Sequence, residues 1–280
     1  MSQAFGVSVL MSVYARESPA ALDAALHSLR VQTVPPQEIV LVKDGPLTEA
    51  LEAVIDSHRQ ALPLRVVALP RNVGLTQALN EGLRHVSQPW VMRFDSDDVC
   101  EPHRIAAQRG WMEAGSLDLF GAQIAEFETD PQTLERSREV PLTHEAIRAF
   151  AMRRNPFNHM TVCYRKAQVD AVGGYPSVLW MEDYALWLTL IAAGARTANM
   201  PEVLVRARVG NGMVARRGGW RYVRSEWQLQ GLTVRLGLKP AWRAVIDGGL
   251  RSAAFLMPIR LREGLYRRVL RRGVRGRGAA

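Results

Sequence analysis

Trp90-Val91-Met92-Arg93-Phe94-Asp95-Ser96-Asp97-Asp98 sets three carboxylates directly behind a short apolar run that reads as a buried strand. If the extended backbone continues through them, Asp95 and Asp97 share a face and Asp98 turns aside, because residues two apart on a strand point the same way. Like charges that close repel unless a cation joins them, and carboxylate, water and phosphate oxygens together suit Mg²⁺ or Mn²⁺. A metal-held diphosphate is then the natural guest. The same aspartates would also serve an Asx-type turn capping a helix that opens at Pro102, and the cluster alone leaves both readings open.

Upstream of this stretch, the first hundred residues alternate strand and helix. Val7 to Val13 is β-rich, and Ser18-Pro19 opens a helical pattern through Val31. Strand follows at 39–42, helix at 49–60, strand at 64–69, helix at 75–86 and strand again at 90–94. Such repetition implies a mostly parallel sheet with right-handed crossovers and a ligand site beyond the carboxyl ends of its strands. Asp44-Gly45, Arg71-Asn72 and Asp95-Ser96-Asp97 all follow strands, so they collect at one rim. No GxGxxG follows the first strand and no GxxxxGKS/T occurs, which argues against a dinucleotide dehydrogenase or a P-loop ATPase. Beyond Pro102 the pattern loosens into a helix to about Glu113, short strands between Leu117 and Phe127, a helix at 145–153 and a strand at 161–165. The turn Gly173-Gly174-Tyr175-Pro176 then leads to Trp180-Met181-Glu182-Asp183 at the entrance of an apolar helix.

With 48% hydrophobic and 22% charged residues in 280, the chain is expected to be soluble and globular. Two cysteines without CxxC spacing exclude a disulfide framework and point to a reducing cytoplasm. No signal peptide is expected at the N-terminus, and the apolar run from Tyr184 to Ala195 is too short to span a bilayer. The net charge of +9 is unevenly placed: residues 216–280 hold 16 Lys and Arg against 3 Asp and Glu, or +13, leaving −4 for residues 1–215. Anionic lipid or diphosphate would suit the basic end, or it is simply a solvated helical face. Nucleic acid is not expected, since no zinc-finger, basic-zipper or RNP signature accompanies the arginines.

In this order the motifs resemble family 2 glycosyltransferases with the GT-A fold. They are Val7 to Tyr14, Val42-Lys43-Asp44-Gly45, Arg71-Asn72-Val73-Gly74-Leu75 with Ala78-Leu79-Asn80, Asp95-Ser96-Asp97-Asp98, and Glu182-Asp183-Tyr184-Ala185-Leu186-Trp187. Asn155-Pro156-Phe157-Asn158-His159 and Arg216-Arg217-Gly218-Gly219-Trp220 further resemble the branch that builds bacterial exopolysaccharide, capsule and O-antigen repeats, as in amylovoran-type transferases. The resemblance implies an α/β GT-A domain over residues 1–215, with a nucleotide-sugar-binding half (1–110) and an acceptor-binding half (111–215). A basic helical extension would occupy 216–280.

The resemblance also implies roles. Asp44 would bind the nucleobase, often uracil, although Lys43 stands where the family usually has a second acid. Asp95 would touch the ribose or the metal, and Asp97 would coordinate the Mn²⁺ or Mg²⁺ bridging both phosphates. Asp183 would be the general base of an inverting transfer, with Glu182 beside it. Tyr14 and Arg71 are further candidates for the donor, Trp180 for the acceptor, and His159 for either. Arg216 and Arg217 would close over the diphosphate or face a lipid head group. Without QxxRW or membrane spans, the chain resembles a non-processive enzyme that takes a nucleotide-sugar, UDP foremost, and adds one sugar to a glycan or a lipid-diphosphate-linked oligosaccharide. Its expected place is the inner face of the cell membrane, as a peripheral protein on an anionic surface. The rivals are a sugar nucleotidyltransferase, whose Gly-rich first loop is missing from Ser12-Val13-Tyr14-Ala15-Arg16-Glu17, and a non-catalytic nucleotide- or glycan-binding module.

Overall fold

The computed structural model describes residues 6–133, 136–209 and 218–257. Its chain falls into two compact units, Met1–Ser177 with Glu182–Val209, and Val178–Met181 with the described residues of Gly210–Ala280.

In the first unit, β1 (Val7–Val13), β2 (Glu38–Lys43), β3 (Leu64–Ala68) and β4 (Trp90–Arg93) are parallel and lie in the order β3-β2-β1-β4. Their crossovers are α1 (Pro19–Arg30), α2 (Glu49–His58) and α3 (Leu75–His85). Each helix starts where local chemistry provides for it. The Ser18 hydroxyl accepts the Ala21 N–H ahead of α1, with Pro19 at the first position, and Thr48 accepts the Leu51 N–H ahead of α2. Val9, Leu10 and Met11 are fully buried, as are Ile39 to Val42, because both faces of a parallel sheet are covered by helices.

The sheet continues past β4 with mixed polarity. β8 (Cys163–Arg165) runs antiparallel to β4 and to β6 (Leu119–Phe127), and β9 (Thr197–Arg208) runs parallel to β6. β5 (Val99–Cys100) pairs with β9, and β7 (Arg136–Arg138) with β6. The short strands expected between Leu117 and Phe127 are one nine-residue strand with register shifts between Gly121 and Ile124. α4 (Arg104–Glu113), α5 (His144–Ala151), α6 (Lys166–Ala171) and α7 (Glu182–Ala192) complete the unit. The second unit is a helical hairpin of α8 (Trp220–Arg235) and α9 (Ala241–Leu256).

Register places the rim. Val13 pairs with Lys43 and Lys43 with Ala68, while Leu10 pairs with Arg93. Tyr14, Asp44, the loop after β3 and Asp95 therefore leave the sheet at one end.

Candidate active site

At the end of β2, Asp44 is buried and its carboxylate is a structural clasp. Oδ1 accepts the Val73 N–H at 2.7 Å, while Oδ2 accepts Gly74 N–H at 3.0 Å and Asn72 Nδ2 at 3.0 Å. Gly74 caps α3 without any side-chain bond of its own, so a carboxylate from the neighbouring strand satisfies donors at that helix start. Gly45 permits the approach: its φ is +89°, and a Cβ there would lie 2.6 Å from the Asn72 nitrogen. Lys43 turns to Glu52 on α2 in an ion pair. Arg71 and Tyr14 are exposed at the same rim.

The strand behind the acidic cluster ends at Arg93, and Ser96 and Asp97 occupy a turn. The expected extended geometry, with Asp95 and Asp97 on one strand face, is thus replaced by a turn that splits their environments. Nor do these aspartates cap α4, which begins at Arg104 with no side-chain bond at its N-cap. Asp95 pairs with Arg93, a guanidinium only 1% exposed that also donates to the Phe94 carbonyl. Buried Arg104 donates from Nη2 to the Arg93 carbonyl at 2.8 Å and from Nη1 to Cys100 Sγ at 3.2 Å, locking this corner from behind.

Asp98 points inward, where its Oδ1 accepts the Arg208 N–H at 2.8 Å and its Oδ2 is buried without a hydrogen-bond partner. Burial, with Asp95 and Asp97 nearby, raises its carboxyl well above the usual range, which suits a protonated acid. Asp97 is half-buried. Burial, then the Asp95 and Glu17 carboxylates, push it up to about 7, with its own backbone hydrogen bond and the Arg208 charge opposing them. Glu17, in the loop after β1, accepts the Ser96 hydroxyl at 2.9 Å, and Arg208 Nε reaches the Asp97 carbonyl at 3.2 Å. A loop after the first strand and the end of the last strand thus grip the acidic turn from two sides.

Among the described residues no group of three or more His, Cys, Asp or Glu side chains could hold a metal unaided. The donor set nevertheless fits a cation that takes one or two carboxylates and completes its shell with water and phosphate oxygens. Burial and the neighbouring carboxylates disfavour the Asp97 anion more than the Arg208 charge supports it, and a bound cation would shift that balance. Asp97 and Asp95 are the residues that would hold such an ion.

Across from this turn, α7 starts with Glu182 and Asp183. Glu182 is 8% exposed; burial, then the adjacent Asp183 charge, raise it to about 7, Asp95 adds to the rise and Arg93 opposes it. Asp183 is half-buried and oriented by two donors, Asn155 Nδ2 to Oδ2 at 2.6 Å and Tyr184 N–H to Oδ1 at 2.7 Å. His159 packs against Tyr175 and Trp187, with Nε2 3.2 Å from the Tyr175 hydroxyl. Burial and the Arg93 charge push its imidazole down to about 4, opposed by Asp183 and Asp95, so it is neutral near pH 7. Both His159 and Glu182 therefore sense Arg93, Asp95 and Asp183, and one site joins the end of β4 to the start of α7. Asn80 on α3 supports it, accepting the Tyr175 N–H at 2.7 Å and donating to the Tyr175 carbonyl at 2.9 Å.

Trp180 belongs to the second unit, where it is 45% exposed, has φ +62° and stacks on Tyr222 with centroids 5.6 Å apart. Arg216 and Arg217 lie outside the described residues. Sequence reading missed Glu17, Asn155 and Arg208 as site residues. Asn155 had a signal in its Asn-Pro motif, whereas Arg208, more than a hundred residues from Asp98, had none.

Residues 8–169 match the family model for Glycosyl transferase family 2. The amylovoran biosynthesis glycosyltransferase AmsE of Erwinia amylovora is 42% identical over 260 residues, covering 92% of this chain and 97% of its own. The UDP-Gal:alpha-D-GlcNAc-diphosphoundecaprenol beta-1,3-galactosyltransferase of Escherichia coli is 35% identical over 266 residues, covering 95% and 96%. Among solved structures, S. aureus TarS 1-349 in complex with UDP-GlcNAc aligns over 85% of this chain and 69% of its own, with a TM-score of 0.66 at 18% identity, so the fold is GT-A. With more than half its length in the family match, the chain belongs to glycosyl transferase family 2 and is a glycosyltransferase.

Proposed function

We propose that the enzyme moves one sugar per visit from a nucleoside-diphosphate sugar, UDP foremost, to a hydroxyl of a lipid-diphosphate-linked glycan, inverting the anomeric carbon, during synthesis of a surface polysaccharide. The observation carrying this reading is the meeting of the acidic turn with the start of α7, where His159 and Glu182 sense both Asp95 and Asp183. Leaving-group charge and attacking hydroxyl need opposite kinds of help, and the two ends of the site offer them. The printed activity of the 35% identical E. coli relative supports the donor and the acceptor class, and the amylovoran relative supports the polymer.

In the chemical step the acceptor oxygen bonds to the anomeric carbon as the bond from that carbon to the β-phosphate oxygen breaks. The products are the inverted glycoside and the nucleoside diphosphate. A divalent ion held by Asp97 and Asp95 would neutralise the charge developing on the diphosphate. Asp183 takes the hydroxyl proton. Asn155 and the Tyr184 N–H each occupy one of its oxygens and fix the carboxylate plane, leaving lone pairs for the acceptor. Neutral His159 borders this space without adding charge, and Asp44 shapes the loop that would meet the nucleobase. No described helix is long and apolar enough to cross a membrane, so the lipid-linked acceptor would be met at the surface of the inner leaflet. The basic residues 258–280, which lie outside the described residues, would help hold the enzyme there.

Calorimetry with UDP-, GDP- and dTDP-sugars, each with Mn²⁺ and with EDTA, tests the donor half. We expect UDP-sugars to bind with Mn²⁺ and to lose affinity in EDTA and in Asp97→Asn. Equal affinity in EDTA would sink the metal-dependent reading, and preference for GDP- or dTDP-sugars would overturn the base assignment.

A further inference from the structure

We propose that the outward face of α9 is a lipid-contacting surface that seats the helical hairpin in the head-group region of an anionic membrane. The inference rests on the lipid-linked-acceptor reading for its purpose, and on the hairpin and the charge of the sequence after it for its argument.

α9 is built inside out. Trp242, Val245, Ile246, Leu250 and Leu256 are all exposed, Trp242 by 65% and Leu250 by 69%. At 100° per residue they fall within about 140° of arc, with only glycine and alanine among them. A helix on a water-facing surface normally puts its charges there. Here only Arg243 is exposed, and the other two charges turn to partners: Asp247 pairs with Lys239 at 2.7 Å, and Arg251 with the fully buried Glu226 at 3.1 Å. The face toward α8 carries small residues along most of its length, with Phe255 against Tyr222 at its end. Ala244 and Gly248 are buried, and the Trp227 ring sits so close that a Cβ on Gly248 would lie 3.3 Å from it. The helix therefore docks on α8 through Ala244, Gly248 and Phe255, whose ring meets Tyr222 edge-on at 4.7 Å, and leaves its other large apolar residues outside.

Charge identifies the occupant. Glu226 and Asp247 are the only acids between 218 and 257, and both are held in ion pairs within the hairpin. Arg221, Arg224, Arg235 and Arg243 are exposed. Residues 258–280, which follow directly, add eight arginines against one glutamate. An apolar face bearing a tryptophan, flanked by arginines with no exposed acid, matches an anionic head-group layer over acyl chains. A second copy would bring the same positive charge and repel it.

The test uses the full chain and vesicles of phosphatidylcholine with and without phosphatidylglycerol, with no donor or acceptor present. Ile246→Glu with Leu250→Glu changes only the outer face, so thermal unfolding should match the parent. We expect the parent to sediment with phosphatidylglycerol vesicles and the double variant to partition about 100-fold more weakly, from two apolar side chains removed from the interface. Cys100 and Cys163 are both buried, so Ile246→Cys can be labelled selectively with an environment-sensitive fluorophore. The label should shift blue with these vesicles and be quenched by spin-labelled lipid. Three outcomes would each overturn the proposal: unchanged partition of the double variant, a label still in water on bound vesicles, or a label already buried without lipid. The last would show the face covered by a second copy if it depends on protein concentration, or by another part of the chain if it does not. Donor affinity is read separately by calorimetry, so failure here and failure of the transferase reading stay distinct.

Discussion

Glu182 and Asp183 adjoin in sequence yet are prepared for different work. Glu182 is closed off and held near neutrality by burial, whereas Asp183 is half-open with two donors fixing its plane. A base must reach the acceptor hydroxyl within hydrogen-bond distance, and only the second residue has that access. Asp183→Asn preserves shape and hydrogen bonding to Tyr184 while removing the proton acceptor. We expect donor affinity within about twofold of the parent and a turnover number lower by about 10² to 10⁴, since general-base catalysis is of that order. Steady-state transfer assays beside calorimetry check it, and near-parental turnover would remove Asp183 from the role. Asp95 and Asp183 stand out as candidates in the sequence because each lies in a short local pattern, after a strand and at a helix start, and the family resemblance supplies their roles. Arg208 was not legible, because its contact with Asp98 exists only once β9 has paired with β6 and β5.

At the level of elements, the parallel half of the sheet was readable because its strands are mostly apolar and its first two helices carry caps at 18 and 48. The rest was harder for a physical reason. β9 alternates buried and exposed residues through a Pro-Glu step, and β6 shifts register, so neither shows a clean period. The β3–α3 loop shows how a motif acquires meaning from such elements: Asp44 holds it, and Gly45 lets it come close. Gly45→Ala places a methyl 2.6 Å from the Asn72 backbone at a φ that L-residues rarely adopt. We expect it to cost about 2–3 kcal/mol of stability, from strain plus a displaced loop, and to weaken donor binding. Urea unfolding and calorimetry give both readouts. Parental stability would mean the loop moves freely, and Asp44 would then not be its clasp.

Across the whole molecule, burying acids without full compensation makes stability depend on pH. Glu182 ionises ordinarily near 4.5 but is raised to about 7 in the fold, and Asp97 goes from 3.8 to about 7. Between the ordinary and the folded values, the native state holds protons that the unfolded chain has released. The contribution of these acids to stability is therefore largest below the ordinary values, falls as pH rises to about 7, and is flat above. His159 works oppositely, since its ordinary value of 6.5 drops to about 4, so its share of stability is lost as pH falls through that window. The two trends partly cancel below 6.5, and a pH scan of the parent alone would hide them. The difference between parent and Glu182→Gln isolates one of them. Stability of the variant relative to the parent should rise from about pH 5 to about pH 7 and then level off, read as the urea midpoint at each pH. Mn²⁺ with UDP should flatten the corresponding Asp97→Asn difference, because a cation at Asp97 offsets the burial and the neighbouring carboxylates that raise it. A variant-to-parent difference for Glu182→Gln that does not change with pH would mean that Glu182 is ionised throughout. The buried start of α7 would then be held by charge pairing rather than by a proton.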